Sequence, residues 1–284
     1  MRWKSGRRST NVEDRRGGRG RASLGRGSKV GLGTILLVLV LSFFTGQNPL
    51  SLLQQIDSQS SSAQLPNTAS GSQDIEADFV SVVLGYTEDT WDTIFSSQGA
   101  RYVQPKLVLY ENAVQSACGY NTAATGPFYC PGDQKMYLDL SFLRELQRMG
   151  ASGDFAVAYV IAHEVGHHIQ TILGTEQQVR QAQRRAGRGT VQSNQLSVRM
   201  ELQADCYAGV WTHHTERMQQ VLDKGDVEEG LAAAAAVGDD RLQKMAGQRI
   251  QPEAFTHGTS QQRMEWFRRG LETGRMDNCD TFSN

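Results

Sequence analysis

The stretch DFAVAYVIAHEVGHHIQ, residues 154–170, carries the pattern that decides the fold. Within it, His163-Glu164-Val165-Gly166-His167 is an HExxH motif, set among the apolar residues Val157, Val160, Ile161, Ile169 and Ile172. Residues four apart on a helix lie about 40° apart around its axis, so His163 and His167 project from one face and can share one metal ion. Neutral imidazole nitrogen is a good zinc ligand. Glu164 is turned by about 100°. From there it can reach a water at the metal without binding the metal itself, which makes it the candidate general base. Two imidazoles and a carboxylate are costly in an apolar helix unless something binds them. Asp154 is the expected cap of this helix and Gly174 its stop.

A catalytic zinc site takes three protein ligands and leaves a fourth position open. The next long helix, expected over about Leu196–Leu222, offers Glu201 and Asp205, four apart and therefore on one face. Ala204, Cys206, Tyr207, Ala208, Val210 and Trp211 make their surroundings apolar, unlike those of an exposed acidic pair. Glu201 is the candidate third ligand. Asp205 is expected to receive the free ring N–H of a ligand histidine and fix its tautomer. Glu176 is nearer in sequence but opens a Gln- and Arg-rich segment that reads as solvated. His168, about 140° around from His163, reads as structural, and His213 and His214 as capping or water-facing. Amide hydrolysis creates an oxyanion that needs a hydrogen-bond donor besides the metal. His257, in FTHGTS (255–260), is one candidate, with a plain capping role as its alternative; Tyr137 and Tyr207 are weaker candidates.

Outward from these helices the pattern is mainly α with a small sheet. Helical spacing runs from Ile75 to Phe95, over Ser141–Met149, from Asp154 to about Leu173, over Gln177–Arg185 and over Asp226–Ala236. A capping box, Thr259 with Gln262, opens a last helix that ends at Gly274. Strands are expected at Val103–Tyr110 and Met136–Leu140. The formal net charge of -1 hides an asymmetry. Residues 1–29 carry ten Arg and Lys against Glu13 and Asp14, so the remainder is acidic, which argues against nucleic acid as the main partner. The basic run precedes an uncharged apolar stretch, residues 30–46, somewhat short of the roughly 20 residues of a spanning helix. These features predict a basic cytoplasmic tail (1–29), a single-pass transmembrane signal anchor (30–46), a Ser/Gln-rich linker (47–73) and a body (74–284) on the periplasmic side of the inner membrane. A cleaved signal peptide is the rival reading of 30–46. Four cysteines, an even number in an exported domain, suggest two disulfides. Cys118 with Cys130 is a plausible pair, leaving Cys206 with Cys279, although three pairings are possible.

The sequence resembles the bacterial neutral zinc metallopeptidases of the YpfJ type. The likeness lies in GPFYCPGDQKMYLDLSF (126–142), DFAVAYVIAHEVGHHIQ (154–170), SVRMELQADCYAGVW (197–211), VGDDRLQ (237–243), FTHGTSQQRMEWFRRG (255–270) and CDTF (279–282). It implies a zincin-like α+β body, zinc as cofactor, peptide or protein as substrate, and Glu201 and Asp205 as the ExxxD partner of the motif helix. By analogy with other zincins, Met136–Leu140 is expected to be the sheet edge along which a substrate peptide is laid. The competing class is a membrane-anchored module that binds zinc without catalysis.

Overall fold

The computed structural model describes residues 1–17 and 70–283. Its helices are α1 (Ser70–Ser97), α2 (Ser141–Arg148), α3 (Asp154–Ile172), α4 (Thr175–Ala186), α5 (Val191–Gln219), α6 (Asp226–Ala236), α7 (Asp239–Met245) and α8 (Ser260–Thr273). The strands are β1 (Val12–Asp14), β2 (Lys106–Tyr110), β3 (Ala113–Ser116), β4 (Gly119–Thr122), β5 (Phe128–Cys130) and β6 (Lys135–Asp139). The expected α+β architecture, mainly α, is what forms.

The motif helix α3 is buried along nearly its whole length. It packs on α5 at Gly166, where a Cβ would come within 2.9 Å of the Ala204 carbonyl oxygen. The glycine inside HExxH thus lets the two backbones approach closely enough for side chains from both helices to meet. Helix α5 in turn crosses α8 at Gly209 and Gly270, where any side chain would meet the backbone of the other helix. Trp211 stacks on Phe155, and Tyr159 meets Phe267 edge-on, closing the core among α3, α5 and α8. The capping box at Thr259 and Gln262 fixes the start of α8, as its sequence implies. Asp154 does not cap α3: Gly153 holds the cap position and makes no side-chain bond, and the Asp154 carboxylate lies 2.6 Å from the Met1 amino group. Helix α5 begins at Val191, five residues before the expected start, and Thr190 caps it, its side chain accepting from the Ser193 N–H.

The four-stranded sheet has the order β1-β2-β6-β5. The first three strands are parallel and β5 is antiparallel to β6. Met136–Leu140 is therefore not an edge. It falls on β6, an inner strand, and the outer strand next to it is β5. Pro127 and Pro131 bracket β5 and keep it to three residues, too short to show strand periodicity in sequence. A separate hairpin pairs β3 with β4. Disulfides join Cys118 to Cys130 and Cys206 to Cys279. The first ties the hairpin turn to β5; the second ties the C-terminal segment to α5.

The largest departure from expectation lies at the N-terminus. Residues 1–17, read as part of a separate basic tail, belong to the same compact unit as the body. β1 extends the sheet in register, with Val12, Glu13 and Asp14 beside Leu107, Val108 and Leu109. Trp3 packs edge-on against Phe79. Net basic character alone could not reveal this, because the acidic partners are scattered along α1 and beyond. The expected anchor, residues 30–46, lies outside the described residues. Among those that are described, no helix is long and apolar enough to cross a membrane.

Candidate metal centre

The close crossing of α3 and α5 brings His163, His167 and Glu201 together. Their donor atoms lie within 4.8 Å of one another. His163 Nε2 is 3.1 Å from Glu201 Oε2, and His167 Nε2 is 3.4 Å from Glu201 Oε1. Donors bound tetrahedrally at about 2.0–2.1 Å from zinc would be about 3.3 Å apart, so both histidine–Glu201 separations are close to the spacing zinc requires.

The second nitrogen of each imidazole is already engaged. His163 Nδ1 donates to Asp205 Oδ1 at 2.8 Å, and His167 Nδ1 donates to Gln170 Oε1 at 2.9 Å. Both histidines are thereby held in the tautomer that leaves Nε2 toward Glu201. Gln170 is itself locked, its amide donating to the Met200 carbonyl and to Gln203 Oε1. Asp205 is fully buried. It accepts from Arg263 Nε at 2.8 Å and Nη2 at 2.9 Å, and from the Tyr159 hydroxyl. The guanidinium of Arg263, 2% exposed, supplies the countercharge that the burial of Asp205 demands.

Electrostatics follow from this packing. Burial opposes a charge on His163, but Asp205 and Glu201 outweigh it and raise its pKa to about 10. Burial likewise opposes charge on His167, and Glu201 reverses the shift upward. Burial pushes the Glu201 carboxyl up, yet the two imidazoles hold it well below its ordinary value. The two carboxylates thus favour positive charge at the imidazoles, and a bound cation would meet the same field.

Glu164, 9% exposed, makes no hydrogen bond among the described residues and faces the same cleft as the donor triangle. That cleft has a volume of about 1010 Å³ and opens between α2, α3, β5 and the loop before α8. His257 also lines it. Its Nδ1 lies 3.1 Å from Asp239 Oδ1, and the other Asp239 oxygen accepts the backbone N–H groups of Thr256, His257 and Gly258. The bond to Asp239 raises the His257 pKa above 6.5. Tyr137 and Tyr207 do not line the cleft. The Tyr137 hydroxyl donates to Asp133, and Tyr207 is buried against Trp91. His168 is structural, bonded to the Tyr129 hydroxyl and the Val103 carbonyl. His213 and His214 bond the carbonyls of Leu271 and Gly274 at the end of α8. Glu176 pairs with Arg180 at the rim.

Sequence reasoning missed Arg263, Gln170, Tyr159 and Asp239. Two of them carried a usable signal. Tyr159 lies one turn before His163, and Gln170 three residues past His167, so both share the motif face. Arg263 and Asp239 come from distant segments and carried none.

Two histidines of an HExxH helix and a glutamate from a second helix, with the Glu164 carboxylate lining the same open cleft, form the candidate metal centre of this chain. Sequence comparison supplies the family. The model of the family described as "Putative neutral zinc metallopeptidase" matches residues 1–282, and the chain belongs to that family. It is 48% identical over 291 residues to the uncharacterized protein YpfJ of Escherichia coli K12, covering 99% of each chain. It is 41% identical over 217 residues to the uncharacterized protein Rv2575 of Mycobacterium tuberculosis H37Rv, covering 72% of this chain and 71% of that one. No solved structure matches.

Proposed function

We propose that the chain is a zinc-dependent peptidase that hydrolyses peptide bonds in the cleft over α3, with His163, His167 and Glu201 as the metal ligands. The observation that carries this reading is the cluster of two imidazoles and Glu201 with the Glu164 carboxylate, unpaired among the described residues, in one cleft. When bound, zinc supplies Lewis-acid polarisation of the scissile carbonyl and acidifies a water. Glu164 takes the proton from the attacking water and passes it to the leaving amine. His257, steered by Asp239, donates a hydrogen bond to the oxygen on which charge develops. Asp205 and Gln170 hold the two imidazoles in the ligating tautomer, and Arg263 balances the charge of Asp205. The outer strand β5 takes the role expected of β6. Gly126, Pro127, Phe128 and Tyr129 line the cleft, so an extended substrate would lie along this strand.

The alternative, a zinc-binding module without catalysis, would require a closed site. Structural zinc sites are normally completed by four protein ligands, and the cluster contains three among the described residues. The test is zinc content and cleavage of a broad peptide pool by the full chain and its Glu164→Gln variant. Equal zinc in both, with cleavage slowed about 10²–10⁴-fold in the variant, is the expected result. Zinc in both and no cleavage by the parent would favour the binding module.

A further inference from the structure

Residues 1–17 are joined to the body by contacts that a membrane between them would forbid. Glu88 on α1 is 1% exposed, and its partners among the described residues all come from the N-terminal segment. Ser9 Oγ donates to it at 2.6 Å, Asn11 Nδ2 at 2.7 Å and Arg7 Nη2 at 2.7 Å. A carboxylate buried to this degree needs these partners, because burial of an unpaired charge is costly. The backbone is fitted as closely. A Cβ on Gly85 would come within 2.5 Å of the Arg7 carbonyl oxygen, and one on Gly6 would collide with the Tyr86 side chain. Each glycine thus sits on its own close contact between the segment and α1: Gly6 against Tyr86 and Val82, and Gly85 against the Arg7 backbone. Three of the basic residues that would hold the N-terminus in the cytoplasm are paired with body carboxylates. Arg8 lies 2.6 Å from Asp78, Arg7 2.7 Å from Asp89 and Arg2 3.4 Å from Asp223.

We infer that residues 1–17 and the body lie on the same side of any membrane the chain meets, so that the chain does not cross it between Gly17 and Ser70. Two segments in contact require an even number of crossings between them. The intervening sequence has one long uncharged apolar stretch, residues 30–46. At 1.5 Å per residue it spans about 25 Å as a helix, against about 30 Å of hydrocarbon. It supplies at most one crossing, so the even number is zero, and attachment through it is to one face. The single-pass arrangement read from the charge asymmetry is replaced by a one-sided one, whatever reaction the cleft performs.

The test is labelling of the full chain in intact spheroplasts with a membrane-impermeant maleimide, under non-reducing conditions. The probes are two exposed positions, Thr10→Cys and Ser96→Cys, in separate variants. Matching behaviour is expected: both label from outside, or both label only after detergent. One labelled and one protected would overturn the inference. A protease site placed in the linker gives a second reading. After cutting in detergent, the N-terminal fragment should co-elute with the body, and separation would equally overturn it.

Discussion

Two regions of the molecule use the same chemistry, carboxylates facing arginine and histidine, under opposite conditions. At the metal centre, Arg263 and Asp205 are almost wholly sealed from water and share two hydrogen bonds, with Tyr159 and His163 converging on the same carboxylate. Along the N-terminal seam, Arg8 and Asp78 are about half exposed, as are Arg2 and Asp223. Of the carboxylates that meet residues 1–17, Glu88 and Asp226 are buried. A buried pair is costly to break because the survivor keeps its charge without solvent. An exposed pair contributes little because water replaces either partner. The metal centre is therefore a single arrangement that stands or falls together, whereas the seam is a sum of small terms around separate buried carboxylates.

The contrast can be broken most severely at Arg263. Arg263→Met keeps much of the side-chain volume and leaves Asp205 as a lone buried charge, so stability should fall by about 3–5 kcal/mol. Urea unfolding monitored by circular dichroism measures it; a midpoint unchanged from the parent would show that Asp205 needs no countercharge. The next effect is local. Gln170→Met frees the ring of His167 without removing a ligand, and zinc affinity should drop about 10–100-fold. Competition with a chromophoric chelator reads this, and an unchanged affinity would mean that packing alone orients His167.

The smallest effect belongs to the seam and depends on pH. The bond from Lys135, then that from Arg15, lowers the Glu13 pKa from 4.5 to about 2. Its folded pKa lies below the unfolded one, so this contribution is complete above pH 4.5 and is lost as pH falls toward about 2. Glu13→Gln should therefore lower stability slightly near neutral pH and not at all at the acid end. Parallel denaturant melts along a pH series would show the two curves converging; a constant gap would remove Glu13 from the acid response. High salt should shrink the same difference.

Much of the site was legible because its residues are local. His163, Glu164 and His167 lie within one and a half turns of one helix, and Glu201 and Asp205 within a little over one turn of another, so periodicity alone puts them on common faces. Asp239 and Arg263 were not legible, because they reach the site from segments whose own patterns describe only a short helix and an amphipathic one. The edge strand was misplaced for a related reason. Met136–Leu140 has the stronger strand pattern because it is the more buried strand, and burial marks an inner position rather than an edge.

By itself the sequence determined every helix but α7, the capping box of α8, the ligand faces and the family, all of which depend on residue spacing or on similarity along the chain. Only the tertiary structure decided which glycines bring helices together, which arginine neutralises Asp205, and that β5 is the outer strand beside the cleft. It alone placed residues 1–17 on the body. Charge composition describes a segment's preference for water or for a membrane face, but a carboxylate such as Glu88, buried 77 residues or more further along the chain from its partners, is invisible until the fold brings them together.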